Sequence, residues 1–312
     1  MKYYERKYNE EFGAKLAELG EIHKEIVVVD ADLHNSTGVT QFKNKYPSRF
    51  FNVGIAEANM FGVAGGLARV GYIPFPATIS SFTARKCLDQ IYMNICWPRA
   101  NVKIPGSHGG LAGAETGPSH NVAEDLVIMR SLPNMRVLDL GDNRELRSAM
   151  DAMMEYDGPV YFRVPRVNMP VLFDEGYKFQ WGKGALLRDG TDVTIISEGI
   201  MTGGALAAAE LLAQEGISAQ VVHMGCIKPL DEELTIACAQ KTGAVLTVEN
   251  GRIYGGLGSA VAETLGEKLP TKMKMMGIGD EVITSGSLSD LIRHYHLAPA
   301  DIAAQATALI RN

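Results

Sequence analysis

The chain has 312 residues, 46% hydrophobic and 21% charged, a composition typical of a globular protein of about two domains. Thirty basic against 36 acidic residues give a formal net charge of −6, which argues against nucleic acid or an anionic membrane as the main partner. No apolar run reaches the roughly 18 residues of a membrane span. The charged amino-terminal residues do not predict export, so we expect a cytoplasmic protein. The cysteines have no metal-ligand spacing, which predicts buried, reduced thiols at Cys87, Cys96, Cys226 and Cys238.

The predicted elements alternate between helix and strand along the chain. In the first half, the apolar spacing predicts helices over 10–19, 56–68, 88–96, 122–131 and 144–155, and strands over 26–30, 77–79, 101–104, 135–140 and 160–164. In the second half, it predicts strands over 192–197, 218–223, 244–248 and 272–277, and helices over 203–215, 231–242, 258–268, 287–294 and 299–310. This order predicts an α/β fold with parallel sheets and helices on both faces.

One segment interrupts the alternation. It has no clear period and contains Pro170 and Gly176, which favour loop structure. We therefore predict two doubly wound α/β domains, over residues 1–170 and 187–312, joined by a linker over 171–186.

The first stretch with candidate chemistry spans residues 49–60. It places one carboxylate, Glu57, at the start of an apolar segment rich in glycine and alanine. A carboxylate in apolar surroundings can share or donate a proton, which favours a catalytic role. The alternative is a first-turn glutamate that the helix dipole stabilises.

The second stretch spans residues 105–120 and contains His108, His120 and five glycines. Dense glycine in a loop is costly in entropy and indicates close approach of the backbone to a ligand or to another segment. We therefore favour a functional loop over a surface loop with incidental histidines. The sequence has no P-loop, and its glycine-rich segment at 255–258 lacks the full dinucleotide-binding pattern.

At these two stretches the sequence resembles the transketolase family. It is similar to the carboxy-terminal half of a transketolase that is split over two chains. The resemblance covers nearly the whole chain and rests on several motifs in order: Asp30-Ala-Asp32-Leu33, 52–57 with Glu57, 75–82 followed by 88–90, the His108–His120 loop, 227–231 and 254–261. It implies a pyrimidine-binding thiamine-diphosphate domain followed by a transketolase carboxy-terminal domain. The implied reaction is transfer of a two-carbon ketol unit from a ketose to an aldose.

The resemblance also implies roles for the cofactor-binding residues. Glu57 would hydrogen-bond N1′ of the aminopyrimidine and so activate thiamine diphosphate. Phe82 would stack on the pyrimidine, and Asp32 and Leu33 would line the cofactor cleft. A core phenylalanine at 82 and a strand-end cap at Asp32 are the alternatives.

On the substrate side, the resemblance places His108 and His120 against the sugar as catalytic residues. Ser36 and Arg166 match positions that hold a sugar phosphate, and the guanidinium fork of arginine suits that role. A surface ion pair is the alternative for Arg166.

Two positions depart from the family pattern. Thr116 stands where the family has an aspartate that reads the sugar's hydroxyl configuration, and Asn9 stands where it has an arginine that binds phosphate. Arg6 lies one turn away and is a candidate replacement. We therefore predict a substrate other than the standard pentose phosphates: a branched, shortened or sulfonated ketose.

The family's G-D-G…N segment, which holds the diphosphate and its metal, is missing from this sequence. We therefore expect no metal ligands here, and a partner chain, the amino-terminal transketolase subunit, that holds Mg²⁺ or Ca²⁺. The expected assembly is α2β2, with the cofactor at the shared interfaces. Three alternatives stay open: the beta subunit of a thiamine-dependent 2-oxo acid or acetoin dehydrogenase, a carboxy-terminal piece of a deoxyxylulose-phosphate synthase, and a non-catalytic stabilising subunit.

Overall fold

A computed structural model describes residues 2–311, apart from the side chain of Ala114. In this part of the chain, twelve strands form two sheets: β1 (Ile26–Asp30), β2 (Phe50–Asn52), β3 (Ile73–Ile79), β4 (Lys103–Ser107), β5 (Arg136–Leu138), β6 (Val160–Val164), β7 (Ala185–Arg188), β8 (Val193–Ser197), β9 (Ala219–His223), β10 (Cys226–Lys228), β11 (Ala244–Arg252) and β12 (Lys272–Ile278). The first sheet has the order β10-β5-β6-β4-β3-β1-β2, and the second has the order β12-β11-β8-β9-β7. Within the sheets, only the β10–β5 and β7–β9 pairs described are antiparallel.

The helices surround these sheets. They are α1 (Tyr8–Ile22), α2 (His34–Thr37), α3 (Thr40–Lys45), α4 (Glu57–Arg69), α5 (Leu88–Ile91), α6 (Asp125–Ser131), α7 (Asn143–Glu155), α8 (Met201–Gln214), α9 (Glu232–Thr242), α10 (Leu257–Lys268), α11 (Leu288–His294) and α12 (Pro299–Arg311). Two π-helical turns, at Phe82–Lys86 and Tyr92–Cys96, flank α5, and 3₁₀ turns lie at Pro47–Arg49 and Leu111–Thr116. Over residues 2–311, no helix combines the length and the apolar character needed to cross a membrane.

The α/β prediction is confirmed. Strands β1, β3, β4 and β6 are buried at every position, because helices cover both faces of the first sheet. The short strands β2, β7 and β10 are absent from the sequence prediction. β10 comes from the second half of the chain and pairs with β5 of the first sheet. Its three residues are too few to carry a periodic signal.

The segment between the two sheets packs closely against the first one. Asp142 caps α7 by accepting a hydrogen bond from the Glu145 backbone N–H at 2.8 Å. The other Asp142 oxygen accepts the backbone N–H groups of Leu172 and Phe173 at 2.9 and 3.0 Å. The start of the predicted linker is therefore anchored to a helix. The division into 1–170, 171–186 and 187–312 stays a prediction.

One apolar cluster joins the two sheets. It contains buried side chains of the first sheet, such as Val29 and Ile104, together with Val222 and Leu257 of the second half. All four cysteines are free and buried, as predicted. The two halves thus share a core, so residues from both can define a single site.

Candidate functional site

The predicted site residues gather at one edge of the first sheet. The strands β6, β4, β3 and β1 lie side by side and parallel, so their carboxyl ends meet at this edge. Leu33 follows β1, Phe82 follows β3, His108 follows β4 and Arg166 follows β6. Glu57 begins α4, directly after β2. Parallel topology therefore brings together residues that are far apart in the sequence.

Glu57 is buried, with 3% of its surface exposed, and pairs with a lysine. The Lys86 Nζ lies 2.7 Å from Glu57 Oε2 and 5.1 Å from the centre of the Phe82 ring. The Phe82 ring also meets the edge of His120, with centroids 5.2 Å apart. Lys86 thus links Glu57 to Phe82, and Phe82 in turn contacts His120. Sequence reasoning missed Lys86, because its place depends on the π-helical turn at Phe82–Lys86, which has no recognised sequence signal.

Two aspartates shape the turn after β1. Asp30 is fully buried and accepts the Leu33 backbone N–H at 3.2 Å with both carboxylate oxygens. Burial raises the pKa of Asp30 above its usual value. Asp32 is exposed, has a φ of 64° and accepts a hydrogen bond from Asn52 Nδ2 at 2.9 Å. Asp30 therefore caps the turn, and the carboxylate of Asp32 takes no part in that cap.

His108 is a buried, neutral imidazole. Arg166 can only donate, so Nε2 accepts its guanidinium N–H at 3.4 Å, and Nδ1–H donates to Ser107 Oγ at 2.6 Å. Burial is the main cause that lowers the pKa of His108 from 6.5 to about 4, followed by the charges of Arg166 and His120. Its φ of 62° is a strained value for a residue with a side chain.

A cavity of about 250 Å³ opens beside His108. His108, Thr116 and Arg166 line it, as does Leu288, the first residue of α11 in the second half of the chain. Thr116 Oγ1 donates to the Gly113 carbonyl at 2.8 Å, which fixes the hydroxyl in the loop. The structure thus brings three predicted substrate residues to one cavity. Ser36 lies on α2 and is not among the described residues that line it, so its role stays a prediction.

A second cation at this cavity is Lys7, which the sequence did not single out. Asn9 is buried, with 6% of its surface exposed, and Arg6 is paired with Glu11 at 2.9 Å. Lys7 lines the cavity, because the Tyr8 backbone N–H donates to the Val167 carbonyl at 2.9 Å and holds the start of α1 against the strand end. Arg6 is not among the described residues that line the cavity, so its role as a replacement for the missing arginine stays a prediction.

The histidine loop rests on a buried arginine. Arg163 contacts both oxygens of Asp125, at 2.9 and 2.5 Å, and donates to Asp139 at 2.9 Å. It also donates to the Asn250 carbonyl from β11 of the second sheet, at 2.9 Å. Gly110, with a φ of 63°, passes so close that a Cβ there would lie 2.3 Å from that carbonyl oxygen. Glycine is therefore required for the loop to cross this network.

Comparison with known proteins decides the family. Residues 5–171 match the family model "Transketolase, pyrimidine binding domain", and residues 182–302 match "Transketolase, C-terminal domain". The chain belongs to the transketolase family. The predicted fold, a pyrimidine-binding domain followed by a transketolase carboxy-terminal domain, is thereby confirmed. The predicted activity is confirmed as well: this transketolase chain is a thiamine-diphosphate-dependent transferase subunit of the two-chain type.

Individual relatives support the split arrangement. A 6-deoxy-6-sulfo-D-fructose transketolase subunit of Clostridium is 43% identical over 265 residues, 85% of this chain and 82% of that protein. An apulose-4-phosphate transketolase subunit of Phocaeicola vulgatus is 34% identical over 96% of each chain. A solved structure described as "Split gene transketolase, inactive beta4 tetramer" superimposes with a TM-score of 0.91, at 42% identity and 98% coverage of both chains.

We expect His108 to make folding pH-dependent. In the unfolded chain His108 has a pKa near 6.5, whereas in the folded chain its pKa is about 4. The stability that neutral His108 provides is therefore lost as the pH falls from about 6.5 to about 4. Replacing His108→Asn should flatten this dependence by roughly 1–3 kcal/mol between pH 7 and 4, as measured by urea unfolding. The exposed His296→Gln is the control. Parallel curves for wild type and His108→Asn would contradict a neutral, buried imidazole.

Proposed function

We propose that this transketolase chain provides the carboxylate, the aromatic surface and the sugar-binding residues of an active site that it shares with an amino-terminal subunit. The observation that carries the proposal is the chain of contacts at the sheet edge, in which Lys86 links buried Glu57 to the Phe82 ring and Phe82 packs against His120. When bound, thiamine diphosphate supplies a nucleophilic thiazolium carbon for ketol transfer. The residues of this chain bind and orient the cofactor and the sugar.

Glu57 and Phe82 fit the aminopyrimidine of that cofactor. A buried carboxylate can hydrogen-bond a ring nitrogen, and a half-buried phenyl ring offers a face for stacking. In the proposed role, Glu57 holds a proton towards N1′, Phe82 fixes the ring plane, and Asp32 and Leu33 line the adjoining cleft. Burial of Glu57 keeps water away from that proton, which strengthens the hydrogen bond.

The two histidines face the sugar in this proposal. Neutral His108 can hold a hydroxyl or a carbonyl oxygen of the substrate once Arg166 turns from its Nε2 towards an anion. His120 packs against Phe82, and its charge is felt at His108, which supports a position near both the cofactor and the sugar. Together they would orient the two-carbon unit that is transferred.

We expect Glu57→Gln to abolish most of the ketol transfer. The amide keeps the size of the side chain but cannot hold the proton, and loss of such a group typically costs roughly 10²- to 10⁴-fold in rate. The assay is ketol transfer by the complex with the amino-terminal subunit, whose assembly is checked by gel filtration. Glu21→Gln, at an exposed glutamate that also pairs with a lysine, is the matched control.

Two results would overturn the assignment. Normal turnover by the assembled Glu57→Gln complex would make this chain a non-catalytic stabilising subunit. Acyl transfer to lipoamide without ketol transfer, by the wild-type complex, would place it with the 2-oxo acid dehydrogenases.

An apolar face next to Glu57 is the proposed docking surface for the amino-terminal subunit. We define this face by eight exposed side chains between β2 and the end of the second π-helical turn: Phe51, Ile55, Val70, Tyr72, Leu88, Tyr92, Met93 and Trp97. Ile55 and Val70 flank α4 in the sequence, and the second π-helical turn, which carries Tyr92 and Met93, packs against α4 at Gly65 and Asn94. Several large apolar side chains exposed in one region favour an interaction site.

The position of this face indicates which protein binds to it. α4 begins with Glu57, so a chain that completes the cofactor site with a diphosphate-binding segment must lie against this side of the sheet. Residues 2–311 contain no cluster of three or more side chains suited to a metal, and we propose that the amino-terminal subunit holds Mg²⁺ or Ca²⁺. The inactive tetramer of a related beta chain agrees with a requirement for that subunit. The proposed assembly is α2β2.

Trp97→Glu should block this assembly. The indole is 68% exposed, and a charge in its place would have to be buried in the interface, weakening binding by about 2 kcal/mol or about thirtyfold. Affinity is measured by titrating the amino-terminal subunit, and the exposed Ile22→Glu, on α1, is the matched control. Unchanged affinity for Trp97→Glu would mean that the partner docks elsewhere, and loss of self-association alone would assign the face to a second copy of this chain.

The substrate we propose is a ketose with an anionic end group, phosphate or sulfonate, other than the standard pentose phosphates. The cavity presents two cations, Lys7 and Arg166, beside neutral His108, while exposed Glu115 lies at the same cavity. The uncharged Thr116 replaces the aspartate that reads hydroxyl configuration in the family. The related subunits named for sulfofructose and for apulose phosphate point to substrates of this class.

Lys7→Met should raise KM for anionic ketoses and leave a neutral ketose, such as erythrulose, unaffected. Loss of one charged contact to the anion predicts about a tenfold rise in KM. Arg6→Met is the control, because Arg6 is engaged with Glu11. A sulfoketose and a ketose phosphate are assayed in parallel to find the preferred anion. Comparable turnover of xylulose 5-phosphate with ribose 5-phosphate would contradict the non-standard substrate.

A further inference from the structure

Lys86 makes two contacts at the place where the proposed function needs the cofactor. Its ammonium lies 2.7 Å from the buried Glu57 carboxylate and 5.1 Å from the centre of the Phe82 ring. The proposed function assigns two contacts to the aminopyrimidine: a hydrogen bond to Glu57 and stacking on the Phe82 ring. The Lys86 ammonium occupies both of these partners at once.

The pair with Lys86 gives Glu57 a partner within its own chain. A carboxylate as buried as Glu57 is costly without a partner, and the ammonium satisfies it with a charge-assisted hydrogen bond. The lysine is not locked in place, since 57% of its side chain is exposed and its stem is flexible. The π-helical turn that ends at Lys86 directs it towards Glu57, four residues after Phe82.

We propose that Lys86 is a displaceable stand-in for the aminopyrimidine. Its ammonium contacts Glu57 and Phe82 until the cofactor enters, and the lysine side chain then turns into solvent. This inference rests on the proposed function. The two states exclude each other, because the ammonium and the aminopyrimidine would need the same Glu57 carboxylate and the same Phe82 ring at the same time. Lys86 thereby stabilises the chain before assembly and lowers its affinity for the cofactor afterwards.

The first test uses the chain alone and needs no cofactor. Lys86→Met should lower the melting temperature by about 2–4 °C, because Glu57 loses its partner. Lys86→Arg should retain most of the stability. Lys45→Met, which removes an ammonium from an exposed pair with Glu21, should change the melting temperature little. In a Glu57→Gln background, Lys86→Met should have no further effect, which isolates the pair.

The second test measures thiamine diphosphate affinity by calorimetry, using the complex with the amino-terminal subunit. Lys86→Met should bind the cofactor about tenfold more tightly than wild type, in proportion to the stability lost by the free chain. Lys86→Arg should bind like wild type.

The outcomes separate this inference from the proposed function. A wild-type complex that binds no thiamine diphosphate would overturn the proposed function. A wild-type complex that binds it normally, with Lys86→Met equal to wild type in affinity and melting temperature, would overturn the stand-in alone. Weaker binding in Lys86→Met would overturn it too, and would show that Lys86 contacts the bound cofactor.

Discussion

The buried guanidinium of Arg163 is the interaction on which the site depends. It lies at the end of β6, contacts Asp125 and Asp139 of the first half, and reaches the Asn250 carbonyl of the second sheet. Its charge must be balanced where it lies, because an unpaired buried charge costs several kcal/mol, on the order of 3–5. The carboxylates and the carbonyl that balance it come from both halves of the chain. The same contacts therefore join the two sheets and support the loop that carries His108 and His120.

The excess of acid around Arg163 has its own consequence. Glu198 is fully buried near the guanidinium, and neither of its oxygens has a hydrogen-bond partner among the described residues. Burial raises the pKa of Glu198 well above its usual value, with the charges of Asp139 and Glu249 next in importance. Because burial disfavours a charge on Glu198, the single arginine has fewer negative charges to balance.

The site is divided between two kinds of support. The proposed cofactor residues Glu57 and Phe82 begin α4 and the first π-helical turn, and the exposed apolar side chains of Ile55 and Leu88 flank these two elements in the sequence. The proposed substrate residues His108, Thr116 and Arg166 line a cavity within this chain, together with Lys7 before α1 and Leu288 of α11. In the proposed function, the cofactor residues need another polypeptide to form a pocket, whereas the substrate residues already line a cavity. This division gives a physical reason for a transketolase that works as two chains.

The sequence by itself determined the α/β class, the order of most elements and the residue types of the site, because parallel strands and amphipathic helices leave local periodic signals. It also placed Glu57 and the histidine loop, whose glycines indicated a close approach. Only the tertiary structure decided that Lys86 pairs with Glu57, that Lys7 lines the cavity, and that β10 crosses to the first sheet. These features depend on contacts between distant segments: a π-helical turn against α4, the start of α1 against the residues after β6, and three residues against β5. No local pattern of residues encodes such contacts, since they arise from how the elements pack.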